Sequence, residues 1–153
     1  MSVPSFFKAL ILLAVVCALS SCIGIFAKAE RGTILDLVDS EWVLSEMNSS
    51  KINTDRRPTL KFNEGPSISG FSGCNRYASS ANLLTESSLS LSSISSTKRA
   101  CRNKVMEFES SYMSALGRVS GWSIRRHSLR LLDKGGNTLL RFRRMGAQLG
   151  TNI

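Results

Sequence analysis

The sequence predicts a mainly β, α+β domain: an antiparallel, barrel-like curled sheet with one packed amphipathic helix. Three observations predict it. Short polar–apolar alternations recur, as in Thr59-Leu60-Lys61-Phe62 and Trp122-Ser123-Ile124-Arg125, and a period of two belongs to a half-buried strand. Turn residues punctuate them, at Asn63-Glu64-Gly65-Pro66 and Asp133-Lys134-Gly135-Gly136-Asn137. Only residues 102–117 change to spacings of three and four. Strands and helices do not alternate, so no βαβ unit and no parallel sheet is expected.

Strand patterning begins at Trp42-Val43-Leu44 and returns at 59–62 and, after the Pro66 turn, at Ser67-Ile68-Ser69-Gly70. Gly70, Gly73 and Asn75 flank Cys74. Gly and Asn tolerate positive φ, so a tight bend between strands is expected there, with a ligand-contacting loop as the alternative. Ser87–Ser96 is rich in serine, yet Leu89 and Leu91 alternate with serines. A strand with one buried face is preferred over a loop. Val105, Phe108, Tyr112, Met113 and Leu116 define one helix stripe ending near Gly117. Trp122 and Ile124, then Leu129, Leu131 and Leu132, and finally Leu139-Leu140-Arg141-Phe142 form the closing strands.

The amino terminus reads as an address. Lys8 precedes an uninterrupted apolar run of about 11 residues, Ala9–Leu19, within the ~7–15 residues of an export signal. Leu19-Ser20-Ser21-Cys22 resembles the bacterial lipobox, in which small residues precede a Cys that receives diacylglycerol. Cys17 follows the bulky, β-branched Val16 and suits that role poorly. The expected organisation is a signal peptide over 1–21, a lipidated Cys22 and linker over 22–39, the domain over 40–144, and a flexible tail over 145–153. The alternative is an uncleaved anchor, since Ala9–Ala27 lacks charge over about 19 residues, close to the ~20 that span a bilayer. Either way the body is exported and held near a membrane. Ile23 rather than Asp follows Cys22, which favours an outer-membrane position facing the periplasm.

Charge is unevenly placed. Residues 1–97 carry eight Lys+Arg and eight Asp+Glu, residues 98–153 twelve and three, so the net charge of +9 lies in the last third. Such a field suits anionic lipid or glycolipid. Pairing the last two strands around Gly135-Gly136 sets Arg130 opposite Arg141 and residue 128 opposite 143. Like charges directly opposite destabilise a sheet, so Arg125, Arg126, Arg130, Arg141, Arg143 and Arg144 are expected to face solvent or an anionic surface. Nucleic acid is not the expected partner: export argues against it, and aromatics are only 7% of the chain and not interleaved with the basic residues.

Candidate chemistry is sparse. Cys74 and Cys101 are the only cysteines after Cys22. In an oxidising compartment they are expected to bridge, closing a loop of about 28 residues worth roughly 3.5 kcal/mol; buried free thiols are the alternative. No C-x-x-C occurs and His127 is the sole histidine, so no metal or redox centre is expected. Gly70-Phe71-Ser72-Gly73-Cys74 falls short of a G-x-S-x-G elbow, and His127 lies among arginines. No catalytic residue is assigned.

Five blocks in order bear a family resemblance. Gly70-Phe71-Ser72-Gly73-Cys74-Asn75-Arg76-Tyr77 resembles the G-x-x-G-C-N-x-Y core of the META domain family, which includes the HslJ-like heat-shock lipoproteins. Ser96-Thr97-Lys98-Arg99-Ala100-Cys101 resembles its S-T-x-x-A-C block, and Glu109–Leu116 its helical E-x-x-F-x-x-A-L, with Tyr112 where Phe is usual. Trp42-Val43-Leu44 resembles its opening strand and residues 129–142 its closing hairpin. The resemblance singles out Gly70, Gly73, Asn75, Tyr77, Thr97 and Glu109. It implies a barrel-like fold, no established enzyme activity, no known cofactor, and an envelope protein linked to stress.

The expected function is therefore a non-enzymatic, membrane-anchored role in envelope stress or maintenance. The protein would act as a monomer through surface contacts with lipid, glycolipid or an unidentified protein. The alternative is a periplasmic small-ligand binder, which would require inward positions such as Leu60, Phe62 and Leu91 to leave a void.

Overall fold

A computed structural model describes residues 32–83, 85 and 87–146. The expected signal peptide over 1–21, the expected lipidation site Cys22 and the expected tail from 147 on lie outside the described residues. The folded body begins ahead of residue 40: Gly32 N–H donates to Ile124 O (3.1 Å), a 3-10 turn covers Ile34–Asp36, and Leu37 is fully buried.

Among the described residues ten strands follow in one curled sheet with one α-helix: β1 (Ser40–Met47), β2 (Ser50–Lys51), β3 (Thr59–Phe62), β4 (Ser67–Phe71), β5 (Arg76–Leu83), β6 (Leu89–Leu91), β7 (Ser95–Ser96), α1 (Asn103–Gly117), β8 (Gly121–Arg125), β9 (Ser128–Leu132) and β10 (Thr138–Arg144). The order is β6-β5-β4-β3-β1-β10-β9-β8, every pairing antiparallel, with β2 beside β1 and β7 beside β5. The two ends of this path meet. Leu89 N–H donates to Ser120 O and Trp122 N–H to Ser87 O, and Ser88 bridges Gly121. The sheet is thus nearly closed into a barrel, which removes most of the exposed edge an open sheet would present.

Alternation decides what fills it. Inward positions bring Trp42, Leu44, Leu60, Ile68, Leu129, Leu131 and Phe142 into one core, and α1 adds Tyr112, Ala115 and Leu116. Leu60 and Phe62 are buried and Leu91 packs against the same cluster, so these inward positions fill the barrel. The close packing leaves the Trp122 indole N–H without a partner, a cost of about 1–3 kcal/mol.

Two elements differ from the sequence expectation. Ser87–Ser96 is not one strand but two, β6 and β7, separated by Ser92–Ile94. β5 is a long strand that hydrophobic alternation does not announce, because its inward side chains are Tyr77, Ser79 and Ala81. The closing hairpin keeps the expected register, with Arg141 opposite Arg130 and Arg143 opposite Ser128, and a bulge between Thr138 and Leu140 shifts only its turn end.

Candidate functional site

The six motif residues gather where the turn after β4 passes beneath α1. Gly70 lies on β4 opposite Tyr77 of β5. A Cβ there would come within 2.1 Å of Thr59 O and 2.7 Å of the Tyr77 hydroxyl, so only glycine lets the Tyr77 ring cross the strand. Its role is this close approach rather than a positive φ. Gly73 does need the left-handed region, at φ +106°.

Asn75 has an ordinary backbone; its side chain is what the turn requires. Asn75 Nδ2 donates to Glu109 Oε2 (2.9 Å) and to Arg99 O (3.3 Å). Its Oδ1 accepts from Arg99 N–H (2.7 Å) and from the Thr97 hydroxyl (2.9 Å). Asn75 N–H donates to Glu109 Oε1 (2.9 Å). The Ser72 hydroxyl stands between Glu109 Oε1 and Asn75 O. Ser72, Asn75 and Glu109 are all buried. A buried carboxyl group is tolerable when donors surround it, and here the donors come from a single turn.

Two further links brace the same junction. A disulfide joins Cys74 to Cys101, tying the turn to the segment that leads into α1. The Tyr77 hydroxyl donates to Thr59 O (2.9 Å) and lies 2.7 Å from the Tyr112 hydroxyl, with the two rings tilted at 58°. Burial pushes both phenols above their ordinary value of 10.0, and for Tyr112 the neighbouring Tyr77 adds to the rise. The ensemble is a clamp that consumes its own polar groups.

Recesses among the described residues include the following two. A groove of about 520 Å³ crosses the outer face, lined by Glu41, Thr59, Lys61, Ser69, Arg76 and Ser95 among others. A cleft of about 390 Å³ lies beside the Asn63–Pro66 turn, walled in part by Val38, Phe62 and Leu83. No group of three or more His, Cys, Asp or Glu side chains gathers around a common point among the described residues, and no described helix is long and apolar enough to cross a membrane.

The six arginines do not form one patch. Arg130 and Arg141 are cross-strand neighbours on one face, and each leans away from the other. Arg141 Nε lies 3.0 Å from Glu46 Oε2, too poorly aligned to count as a hydrogen bond, while Arg130 Nε donates to Ser123 Oγ (3.1 Å). The like-charge contact is thus relieved within the sheet, and it does not require an outside anion. Arg125 and Arg126 lie at the β8–β9 turn and Arg143 at the end of β10; Arg144 stacks its guanidinium on the Trp42 ring at 5.6 Å. Sequence reasoning missed Ser72, Arg99 and the Tyr77–Tyr112 pair as partners. Only the inward placement of a Glu on the apolar stripe of α1 hinted at the clamp.

The META domain model matches residues 35–146. A protein from Burkholderia xenovorans solved by NMR superposes with a TM-score of 0.58 at 27% identity, over 72% of this chain and 84% of that one. A second NMR structure superposes with a TM-score of 0.57 at 22% identity, over 73% and 94%, and shares the fold. Among curated proteins, none matches this sequence. Matched over most of its length and carrying the clamp on the expected motif positions, the chain belongs to the META domain family.

Proposed function

We propose that this protein is an exported, lipid-anchored META-domain protein of the bacterial envelope that works through surface contacts in envelope stress or maintenance, without catalysis. The observation that carries the reading is the Cys74–Cys101 bridge, which belongs in a compartment where thiols oxidise. The apolar run Ala9–Leu19 and the Leu19-Ser20-Ser21-Cys22 sequence supply a route to that compartment and an anchor within it. The absence of catalysis is supported by the clamp: Glu109 and Ser72 spend their polar atoms on Asn75 and on each other. The filled core favours surface action over a ligand held inside the barrel.

Intact mass of the protein recovered from envelopes tests this directly. The expected species begins at Cys22, carries acyl chains, and gains two mass units on reduction of the Cys74–Cys101 bridge. Cys22→Ser should abolish both acylation and processing. A full-length, unacylated chain with two free thiols in the soluble cytosolic fraction would overturn the reading.

A further inference from the structure

One end of the barrel gathers three features that the clamp does not use. The first is the entry of the chain. Gly32 is bonded to Ile124 O, and a Cβ on it would meet the Ile124 side chain at 2.6 Å. Cys22 is ten residues earlier, so at most about 36 Å of extended chain separates it from Gly32, which touches Ile124. The second is charge. Arg125 and Arg126 follow Ile124 directly, and Arg144 N–H donates to His127 O, which brings the end of β10 with Arg143 and Arg144 beside the same turn. The third is apolar exposure. Leu35 is 82% exposed and Met145 46%, large values for side chains that water disfavours. Leu35 belongs to the turn that starts at Gly32, and Met145 N–H donates to Glu41 O beside β10.

Two of the acids at this end are engaged. Asp36 accepts from Thr33 N–H (2.7 Å) and Asp39 pairs with Lys61 (3.5 Å). Glu41 lies on β1 at this end, its carbonyl bonded to Met145 N–H, and Glu64 lies in the turn between β3 and β4, so among the described residues the four arginines outnumber the carboxylates left beside them. Cations and exposed apolar side chains around a tether point form an amphipathic rim, and such surfaces seat apolar groups between headgroups while their cations meet anionic lipid.

We propose that the rim of Arg125, Arg126, Arg143 and Arg144, with Leu35 and Met145, rests on the anionic headgroups of the bilayer that holds the chain. The proposal rests on the reading of a membrane-held protein, and it fixes how the barrel stands: the β9–β10 turn at Asp133–Asn137 points away from the bilayer, and so does the clamp. Anionic lipid therefore orients the domain as well as attracting it.

The test uses the full chain reconstituted in vesicles, held either by acyl groups on Cys22 or by its apolar leader. Leu35→Trp and, at the far end, Lys134→Trp each add a reporter, and lipids brominated near the headgroup quench a tryptophan that reaches them. In vesicles with about one-quarter phosphatidylglycerol, the added signal at position 35 should be quenched at least threefold more than that at position 134. The difference should vanish in phosphatidylcholine alone and after Arg125→Glu/Arg126→Glu/Arg143→Glu. Raised salt on the otherwise unchanged Leu35→Trp protein should release it as well, because screening weakens headgroup contacts; this arm keeps the test decisive if the triple variant misfolds. Equal quenching at the two ends, or quenching at position 35 indifferent to lipid charge and salt, would overturn the proposal. Acyl mass on Cys22 reports separately on the anchor, so the two readings fail independently.

Discussion

Asn75 is the residue on which the motif turns. Its amide group makes four hydrogen bonds, and its backbone N–H makes a fifth to Glu109. Asn75→Ala would leave the buried Glu109 carboxyl group short of a donor and remove the acceptor of Arg99 N–H, so a loss of about 3 kcal/mol is expected. Urea midpoints compared with those of Gly65→Ala, where an added Cβ meets nothing within 4 Å, would check it. Tyr77 and Tyr112 allow a sharper measurement because they are the only two tyrosines in the chain. Burial, foremost, raises both above 10.0. Groups whose folded pKa is raised stabilise the fold below the unfolded value and lose that contribution as pH climbs past it. Stability should therefore fall above about pH 10, and tyrosinate absorbance should emerge together with unfolding rather than before it. A titration that shows free tyrosinate in the folded protein near pH 10 would contradict the buried pair.

Elements are joined at two seams. The first is the turn between β4 and β5, held to the segment before α1 by the Cys74–Cys101 bridge across a separation of 27 residues. Constraint of the unfolded chain by that loop is worth about 3.5 kcal/mol. Cys101→Ser should lower thermal stability by about that much, while the Asn75 network keeps α1 docked; loss of helical circular dichroism in the folded variant would show that the bridge alone places the helix. The second seam closes the barrel between β6 and β8. A Cβ on Gly121 would come 3.0 Å from Ser87 O, so Gly121→Ala should cost about 1–3 kcal/mol through overpacking. Hydrogen exchange should report it locally, with faster exchange at the Trp122 and Leu89 amides than across β1 and β10.

The barrel as a whole depends on a strand that arrives last. β10 pairs with β1 on one side and β9 on the other, and it buries Leu139, Leu140 and Phe142. Burial of such side chains contributes about 1.5–3 kcal/mol each, against the ~5–15 kcal/mol of a typical domain. A chain ending at Asn137 should therefore show no cooperative unfolding transition by tryptophan fluorescence. A retained sigmoidal urea curve would mean that the remaining strands fold without the closing strand. The charge distribution acts at the same level. Arg125, Arg126, Arg143 and Arg144 come from segments 17 or more residues apart in sequence, yet the β8–β9–β10 ladder brings them to one end.

Much of the fold was legible from order alone. Alternation at Thr59–Phe62 and Gly121–Arg125, the three-and-four spacing of α1 and the Asp133–Asn137 turn are local patterns, set by the two-residue and 3.6-residue periods of the backbone. The motif positions Gly70, Gly73, Asn75, Tyr77, Thr97 and Glu109 were also visible as positions, through resemblance. Their physical roles were not. Gly70 is required by an approach to Thr59 and Tyr77, and Asn75 by bonds to residues 22 to 34 places away, relations that no local window contains. β5 went unseen because an inward Ser79 breaks the apolar signal, yet it is satisfied by hydrogen bonds to Ser92 and Ser80. The Arg130–Arg141 pairing followed from hairpin register, but its relief by Glu46 depended on β1 lying alongside β10. Local periodicity thus determined which segments become strand or helix, because it follows from backbone geometry. Which polar and charged side chains find partners was decided by tertiary structure, because pairing depends on distances between segments that only the closed barrel brings together.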